Sequence, residues 1–212
     1  MSEPILRRYT NLASALHVLQ NKCLTLLTPN TWDDRNDAFF MNEFKSRRGA
    51  KSVLALCFAN APELYHHWRV FSHGSDGVCL EFDKLKLEAS LPQDERIRTG
   101  LVRYRTIAQA GPNTLPTDDL PFVKRFAFKD EVEFRVVCTD MNEAKEFEQL
   151  QIPLSCISRV TLSPWLSKPL SDAVKNAIRS LKGCANIKVY RSTLINNEKW
   201  KRLGNPHLQK SV

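Results

Sequence analysis

Apolar residues recur at helical spacing at Leu12, Ala15, Leu16 and Leu19, directly after Asn11, a residue suited to cap the free N–H groups of a first turn. The next apolar run, Leu24 to Leu27, is short and flanked by threonine, as strands are. Ser52 to Phe58 and Val78 to Phe82 read as strands, separated by a short helix that sets Leu64, Trp68 and Phe71 on one face. Val102 to Arg105 predicts another strand, and the Pro-bearing stretch Gln109 to Pro121 a long loop. Beyond it, Val132 to Cys138 is the clearest strand and Val160 to Leu162 a further one. Leu170, Val174, Ala177, Ile178 and Leu181 mark an amphipathic helix, and Ile187 to Tyr190 closes as a strand. Strands fill the middle, with helices between or outside them in no regular alternation. This predicts an α+β fold, a single domain with a largely antiparallel or split central sheet and flanking helices. With no Gly/Ser linker or repeat, the domain is expected over residues 1–198, followed by a basic tail at 199–212.

Composition narrows the class. The chain has 212 residues, 42% hydrophobic and 25% charged, with only 7 Gly and 11 Pro, which excludes collagenous, low-complexity and wholly disordered readings. No run approaches the roughly 18 consecutive apolar residues of a membrane span. Met1-Ser2-Glu3-Pro4 does not open a signal peptide, so a cytoplasmic protein with no membrane partner is expected. Among the 6 cysteines no Cys-x-x-Cys pair occurs, and Cys57, Cys79 and Cys138 sit in strand-like apolar runs, where a reduced thiol acts as a small hydrophobe. The net charge of +8 points to an anionic partner such as nucleic acid, a nucleotide or an acidic protein. Part of that excess, Lys199, Lys201, Arg202 and Lys210, reads equally well as a solvated tail. Neither Gly-x-Gly-x-x-Gly nor Gly-x-x-x-x-Gly-Lys is present, which argues against a doubly wound nucleotide fold.

Three segments carry chemistry. In Glu131-Val132-Glu133-Phe134-Arg135, period-two geometry puts Glu131, Glu133 and Arg135 on one face and Val132 and Phe134 on the other. Neighbouring carboxylates raise each other's proton affinity unless a cation compensates, a tension common in acid–base and cation-stabilising sites; a solvated charged strand face is the equally weighted alternative. Trp32-Asp33-Asp34-Arg35-Asn36-Asp37 offers oxygen ligands, or alternatively a tight loop leading into a helix around Ala38 to Phe44. Tyr65-His66-His67-Trp68, with His73 beyond, lacks the spacing of a metal site, so surface or capping histidines are expected. No Gly-x-Ser-x-Gly elbow is present, and one of Arg7 and Arg8 is placed to face a cleft.

In order along nearly the whole chain, Leu6-Arg7-Arg8-Tyr9, Pro29-Asn30-Thr31-Trp32-Asp33-Asp34, Trp68-x-x-Phe71, Gly77-Val78-Cys79-Leu80-x-Phe82 and Glu131-x-Glu133-Phe134-Arg135 resemble the motifs of a widespread bacterial family of domains of unknown function. The chain departs from that pattern at Arg35, where proline is usual, at Phe71, where tyrosine is usual, and at Ser75, where many members carry histidine. A remoter resemblance is to ADP-ribosyltransferase toxins, which carry an Arg or His on an early strand before a helix and a late [Glu/Gln]-x-Glu, here Arg8 before Asn11-Leu12 and Glu131-x-Glu133.

That resemblance implies an ADP-ribosyltransferase-like fold and NAD as substrate, with Glu133 and Glu131 catalytic and Arg8, Tyr9, Thr10, Trp32, Trp68 and Arg135 binding the dinucleotide. It further implies a toxin or antiphage effector with a nucleic-acid or protein acceptor, and an antitoxin or other protein partner. Two other classes stay open. One is a metal-dependent nuclease using Asp33, Asp34, Asp37, Glu131 and Glu133, and the other a non-catalytic nucleic-acid-binding module using the basic tail and exposed aromatics.

Overall fold

The computed structural model describes residues 4–72, 74–111 and 115–205. His73, residues 112–114 of the long loop and Lys210 of the tail lie outside the described residues. The chain opens with β1 (Ile5–Asn11), α1 (Leu12–Asn21), β2 (Cys23–Leu27), α2 (Arg35–Arg48) and β3 (Ser52–Ala59). It continues through α3 (Tyr65–Phe71), β4 (Gly77–Asp83), α4 (Lys84–Ser90), β5 (Ile97–Leu101), β6 (Arg103–Arg105) and β7 (Val123–Arg125). The last part holds β8 (Glu133–Asp140), β9 (Phe147–Gln151), β10 (Ile157–Leu162), α5 (Lys168–Ser180), β11 (Val189–Arg191) and α6 (Glu198–Gly204).

Local chemistry explains the boundaries. Asn11 caps α1 through its side chain, which accepts from the Ser14 N–H at 2.8 Å. Lys22 ends that helix in the left-handed region, at φ 53°. Asp34 caps α2, with its Oδ1 accepting from the N–H groups of Asn36 at 3.0 Å and Asp37 at 3.4 Å. The carboxylates after β2 thus begin a helix that runs farther than the apolar pattern predicts, ending at Gly49 with φ 66°.

The sheet is antiparallel apart from the β10–β11 pair, and a separate small ribbon joins β6 and β7 in parallel. β8 covers one whole edge of β3, from Ser52↔Asp140 to Ala59↔Glu133. The other edge of β3 is shared by β1 and β2, which touch it at Arg7↔Ala59 and Leu27↔Ala55. From there β1 leaves with β4, and β2 with β9. The sheet is therefore split, and a wedge opens along the middle of β3.

Both faces of the β3–β8 region are covered. Leu6, Phe58, Phe82, Phe134 and Val136 belong to the main core, to which α1 and α5 also contribute. On the opposite face Met41 and Phe44 of α2 pack with Val53, Val137 and Phe122. This corrects the expectation of a solvated charged face on β8. Glu133 and Arg135 do share a face, but it is roofed over and Arg135 is fully buried. The strand also begins later than its apolar pattern predicts, because Phe126–Glu131 forms 3-10 turns and Val132 adopts a left-handed conformation, φ 43° and ψ 54°. Phe147–Gln151, Lys84–Ser90 and Glu198–Gly204 form elements that the hydrophobic pattern does not mark. All 6 cysteines are free thiols; Cys79 and Cys138 are buried, whereas Cys57 is only half-buried. No helix among the described residues is long and apolar enough to cross a membrane.

Candidate active site

A cavity of about 600 Å³ fills the wedge, within the usual range for a small-molecule site. One wall is β1, from Arg7 to Asn11, and the opposite wall is β3 at Cys57 to Ala59. Trp32, Asp33 and Asp34 contribute from the loop before α2, Phe71 and Ser72 from the end of α3, and Lys124, Glu131 and Glu133 from the β7–β8 region. Arg8 and Glu133 thus face one space, although they lie on strands far apart in sequence. The Arg8 Nη1 donates to the Cys57 carbonyl at 3.2 Å, bridging the edge where β1 and β3 part. Burial lowers the Arg8 guanidinium's proton affinity, and the charge of Glu133 is among the influences opposing that shift.

Charge is concentrated at one end. Arg135 Nε donates to Glu133 Oε1 at 2.6 Å and its Nη2 to Glu133 Oε2 at 3.0 Å. Its Nη1 donates to Asp37 Oδ1 at 2.8 Å and to the Pro121 carbonyl at 2.9 Å. Lys124 Nζ, almost fully buried, donates to Glu131 Oε2 at 2.6 Å and Glu133 Oε2 at 3.3 Å, with Asp37 Oδ2 at 3.6 Å. The Glu133 backbone is fixed as well: its N–H donates to the Tyr104 hydroxyl at 2.9 Å and its carbonyl accepts from Val102 N–H at 2.8 Å.

These contacts separate the two glutamates. Burial opposes ionisation of Glu133, but Arg135 and then Lys124 outweigh it and hold the carboxyl at about 2. For Glu131 burial prevails over Lys124, the charge of Glu133 adds to it, and the carboxyl is pushed up to about 7. At neutral pH the cavity holds one firmly ionised carboxylate beside one that can gain or lose a proton. Cys57 lines the same wall, yet burial and the neighbouring Glu133 push its thiol well above the ordinary range, away from nucleophilic character.

The predicted residues are distributed unevenly. Arg8, Tyr9, Thr10, Trp32, Glu131 and Glu133 all border the cavity, whereas Trp68 and Arg135 stand behind its wall. Trp68 is fully buried, with its indole N–H donated to Glu63 Oε1 at 2.8 Å and Tyr9 packed edge-on at 5.1 Å; it has no face left for a nicotinamide ring. Arg135 is spent on Asp37 and Glu133 and lies 5.0 Å under the Trp32 ring, so it supports that wall without reaching a phosphate.

The histidine expectation also needs correction at His67. It is fully buried beside Tyr9 at 5.4 Å, with its Nε2 3.2 Å from the Asp130 carbonyl, and burial lowers its proton affinity. The carboxylates of the nuclease reading are divided. Asp33 and Asp34 lie on the rim, and the other three are held by Lys124 or Arg135, cations standing where a metal would sit. Among the described residues no group of three or more His, Cys, Asp or Glu is arranged to hold a metal ion.

Lys124, Tyr104 and Asn11 were not marked by the sequence as site residues. For Lys124 the available signal was a lysine inside Phe122-Val123-Lys124-Arg125-Phe126, where apolar neighbours draw the stem inward and a buried ammonium requires acidic partners.

No family model matches the chain, and no curated protein matches it; the resemblance to the bacterial family rests on its motifs alone. Among solved structures the chain is similar to DarT from Thermus sp. 2.9 in complex with NAD+, at 10% identity over 91% of this chain and 96% of that one, with a TM-score of 0.47. It is similar also to the same protein in complex with carba-NAD+, at 13% identity over 91% and 97% with a TM-score of 0.44. A third similar structure is that protein in complex with ADP-ribosylated ssDNA, at 10% identity over 90% and 94% with a TM-score of 0.46.

Proposed function

We propose that the protein is an ADP-ribosyltransferase-like enzyme with NAD as its substrate, acting on a nucleic acid or an associated protein as a toxin or antiphage effector would. The observation that carries this reading is the placement of Arg8 and an ionised Glu133 on one cavity at the split of the sheet. A dinucleotide asks for this pairing: a fixed cation for the pyrophosphate, and a fixed anion near the ribose whose C1′ becomes cationic as neutral nicotinamide leaves. In this reading Arg8 binds phosphate, Tyr9 and Thr10 line the nicotinamide end and Trp32 supplies an aromatic wall. Glu133 stabilises the ribosyl cation while the C1′–N bond breaks. Glu131 takes the proton of the acceptor hydroxyl or amine as its heteroatom bonds to C1′. An antitoxin or other protein partner belongs to the same proposal.

Isothermal calorimetry with NAD, followed by incubation with labelled NAD and mass spectrometry of nucleic-acid and protein acceptors, tests the reading. Binding, release of nicotinamide and an adduct of ADP-ribose are expected. If the wild-type protein leaves NAD untouched but degrades nucleic acid only with a divalent cation, the nuclease reading replaces it. Salt-sensitive nucleic-acid binding without any turnover would leave a binding module.

A further inference from the structure

Glu131 and Glu133 do not receive the same cations. Glu133 is held by Arg135 through both oxygens and touched by Lys124, and Asp37 likewise has Arg135 as its main partner. Among the described residues the cation paired with Glu131 is Lys124, at 2.6 Å. Lys124 reaches it from β7, and its ammonium also lies 4.8 Å from the centre of the Phe128 ring, which closes one side. We propose that Lys124 is a positioning residue that acts mainly on one glutamate of the pair: by bridging the carboxylates from β7 it keeps Glu131 within reach of deprotonation, beside a Glu133 that Arg135 already holds.

Removal of the ammonium therefore acts on the two acids differently. Glu133 keeps the bidentate grip of Arg135, whereas Glu131 is left with burial and the charge of Glu133, both of which favour its protonated form. The groups facing Lys124 are Asp37 from α2, Tyr104 from β6, Glu131, and Glu133 and Arg135 from β8. Tyr104 does not compete for the change, since burial raises its phenol and keeps it neutral through the acid and neutral range. A merely structural lysine would disturb both carboxyls, or neither. The assignment rests on the NAD reading for the use made of Glu131, but the protonation states are measurable without NAD.

The test is a pH titration of the full chain carrying ¹³C-carboxyl glutamate, with Glu131→Gln and Glu133→Gln used to assign the signals. In the wild type the Glu131 carboxyl is expected to titrate well above that of Glu133. In Lys124→Met its midpoint should rise by at least about one unit, a tenfold gain in proton affinity, while Glu133 moves less. Lys124→Arg, which keeps the charge, should restore the lower midpoint. The acid limb of ADP-ribose transfer to an acceptor should move with Glu131. If Lys124→Met does not fold, Lys124→Gln is judged by the same criterion. Equal shifts at both carboxyls, an unmoved Glu131 in a folded variant, or wild-type carboxyls titrating together would overturn the proposal. A wild-type protein inert toward NAD would remove the NAD reading while leaving the titration to decide the role of Lys124.

Discussion

Arg135 donates to Asp37 Oδ1 at 2.8 Å across 98 positions of sequence, joining the first turn of α2 to the strand that carries Glu133. The same guanidinium grips both oxygens of Glu133 and lies under the Trp32 ring. One fully buried cation thus fixes a carboxylate and an aromatic wall of the cavity without touching the space between them.

Arg135→Met keeps bulk but leaves the buried Asp37 and Glu133 to share Lys124 alone, at 3.6 and 3.3 Å. The loss expected for breaking one side of a buried ion pair is about 3–5 kcal/mol. Urea denaturation of the variant should show a loss of that size, and Asp37→Asn combined with Arg135→Met should lose less than the sum of the single changes. A loss below about 1 kcal/mol for Arg135→Met would mean that solvent reaches the cluster.

Glu133→Gln keeps the shape of the side chain and removes its charge. NAD cleavage should fall by about 10²-fold or more, the scale for removing an electrostatic stabiliser, with NAD affinity by calorimetry changed only a few-fold. Glu131→Gln should reduce transfer to an acceptor more than hydrolysis of NAD. Equal losses in both reactions would remove the acceptor role from Glu131.

The split sheet was partly legible before the structure, because short strands without regular helix alternation disfavour a wound parallel sheet. Asn11 and Asp34 announced their helices through cap chemistry, which is local. What escaped was set by distant packing. Trp68 and Arg135 share motifs with cavity residues, and the sequence does not say that α2 would roof one of them and Tyr9 back the other. Lys124 escaped because its three acidic partners come from α2, the 3-10 turns and β8, a meeting that no spacing along the chain records. Phe147–Gln151 carries only Phe147 and Leu150 as apolar residues, too few for a strand pattern, and is a strand because it pairs with β2 along Cys23↔Gln151 to Leu27↔Phe147.

The glutamate pair gives stability two opposite dependences on pH. Glu133, lowered to about 2, contributes stability that is present above its unfolded value of about 4.3 and lost as pH falls through about 2. Glu131, raised to about 7, contributes stability that is present below about 4.3 and lost as pH rises through about 7. Between pH 5 and 8 folding therefore takes up a proton at Glu131, and the wild type should weaken relative to Glu131→Gln across that window. Parallel urea midpoints for the two proteins would contradict the assignment.

Gly77, which opens the Gly-Val-Cys-Leu-x-Phe motif, owes its identity to a close approach. A Cβ there would stand 2.6 Å from Ser72 Oγ and 2.8 Å from Ser72 Cβ, and that hydroxyl is itself tied to the Trp68 carbonyl at 2.6 Å. Gly77→Ala should cost about 1–3 kcal/mol by overpacking, measured by thermal or urea unfolding. Ser72→Gly in the same chain should recover part of the loss, because it removes the atoms that clash.

Val132 links the two glutamates in a conformation that costs a β-branched residue roughly 1–2 kcal/mol, at φ 43°. The turn is held in place by the Asn60 N–H, which donates to the Val132 carbonyl at 2.8 Å, and it lets Glu131 reach Lys124 from the 3-10 turns while Glu133 reaches it from β8. Glycine adopts this conformation freely but loses about 0.5–1 kcal/mol more in chain entropy on folding. Val132 is 38% exposed, so relief of the backbone strain is set against a modest loss of packing, and Val132→Gly should change stability by no more than about 1 kcal/mol in either direction. Val132→Pro, unable to adopt a positive φ, should lose at least about 3 kcal/mol and displace Glu131 from Lys124. Chemical denaturation of both variants checks the pair of outcomes, and a Val132→Gly loss above 1 kcal/mol would show that the side chain, not the backbone turn, holds the glutamates together.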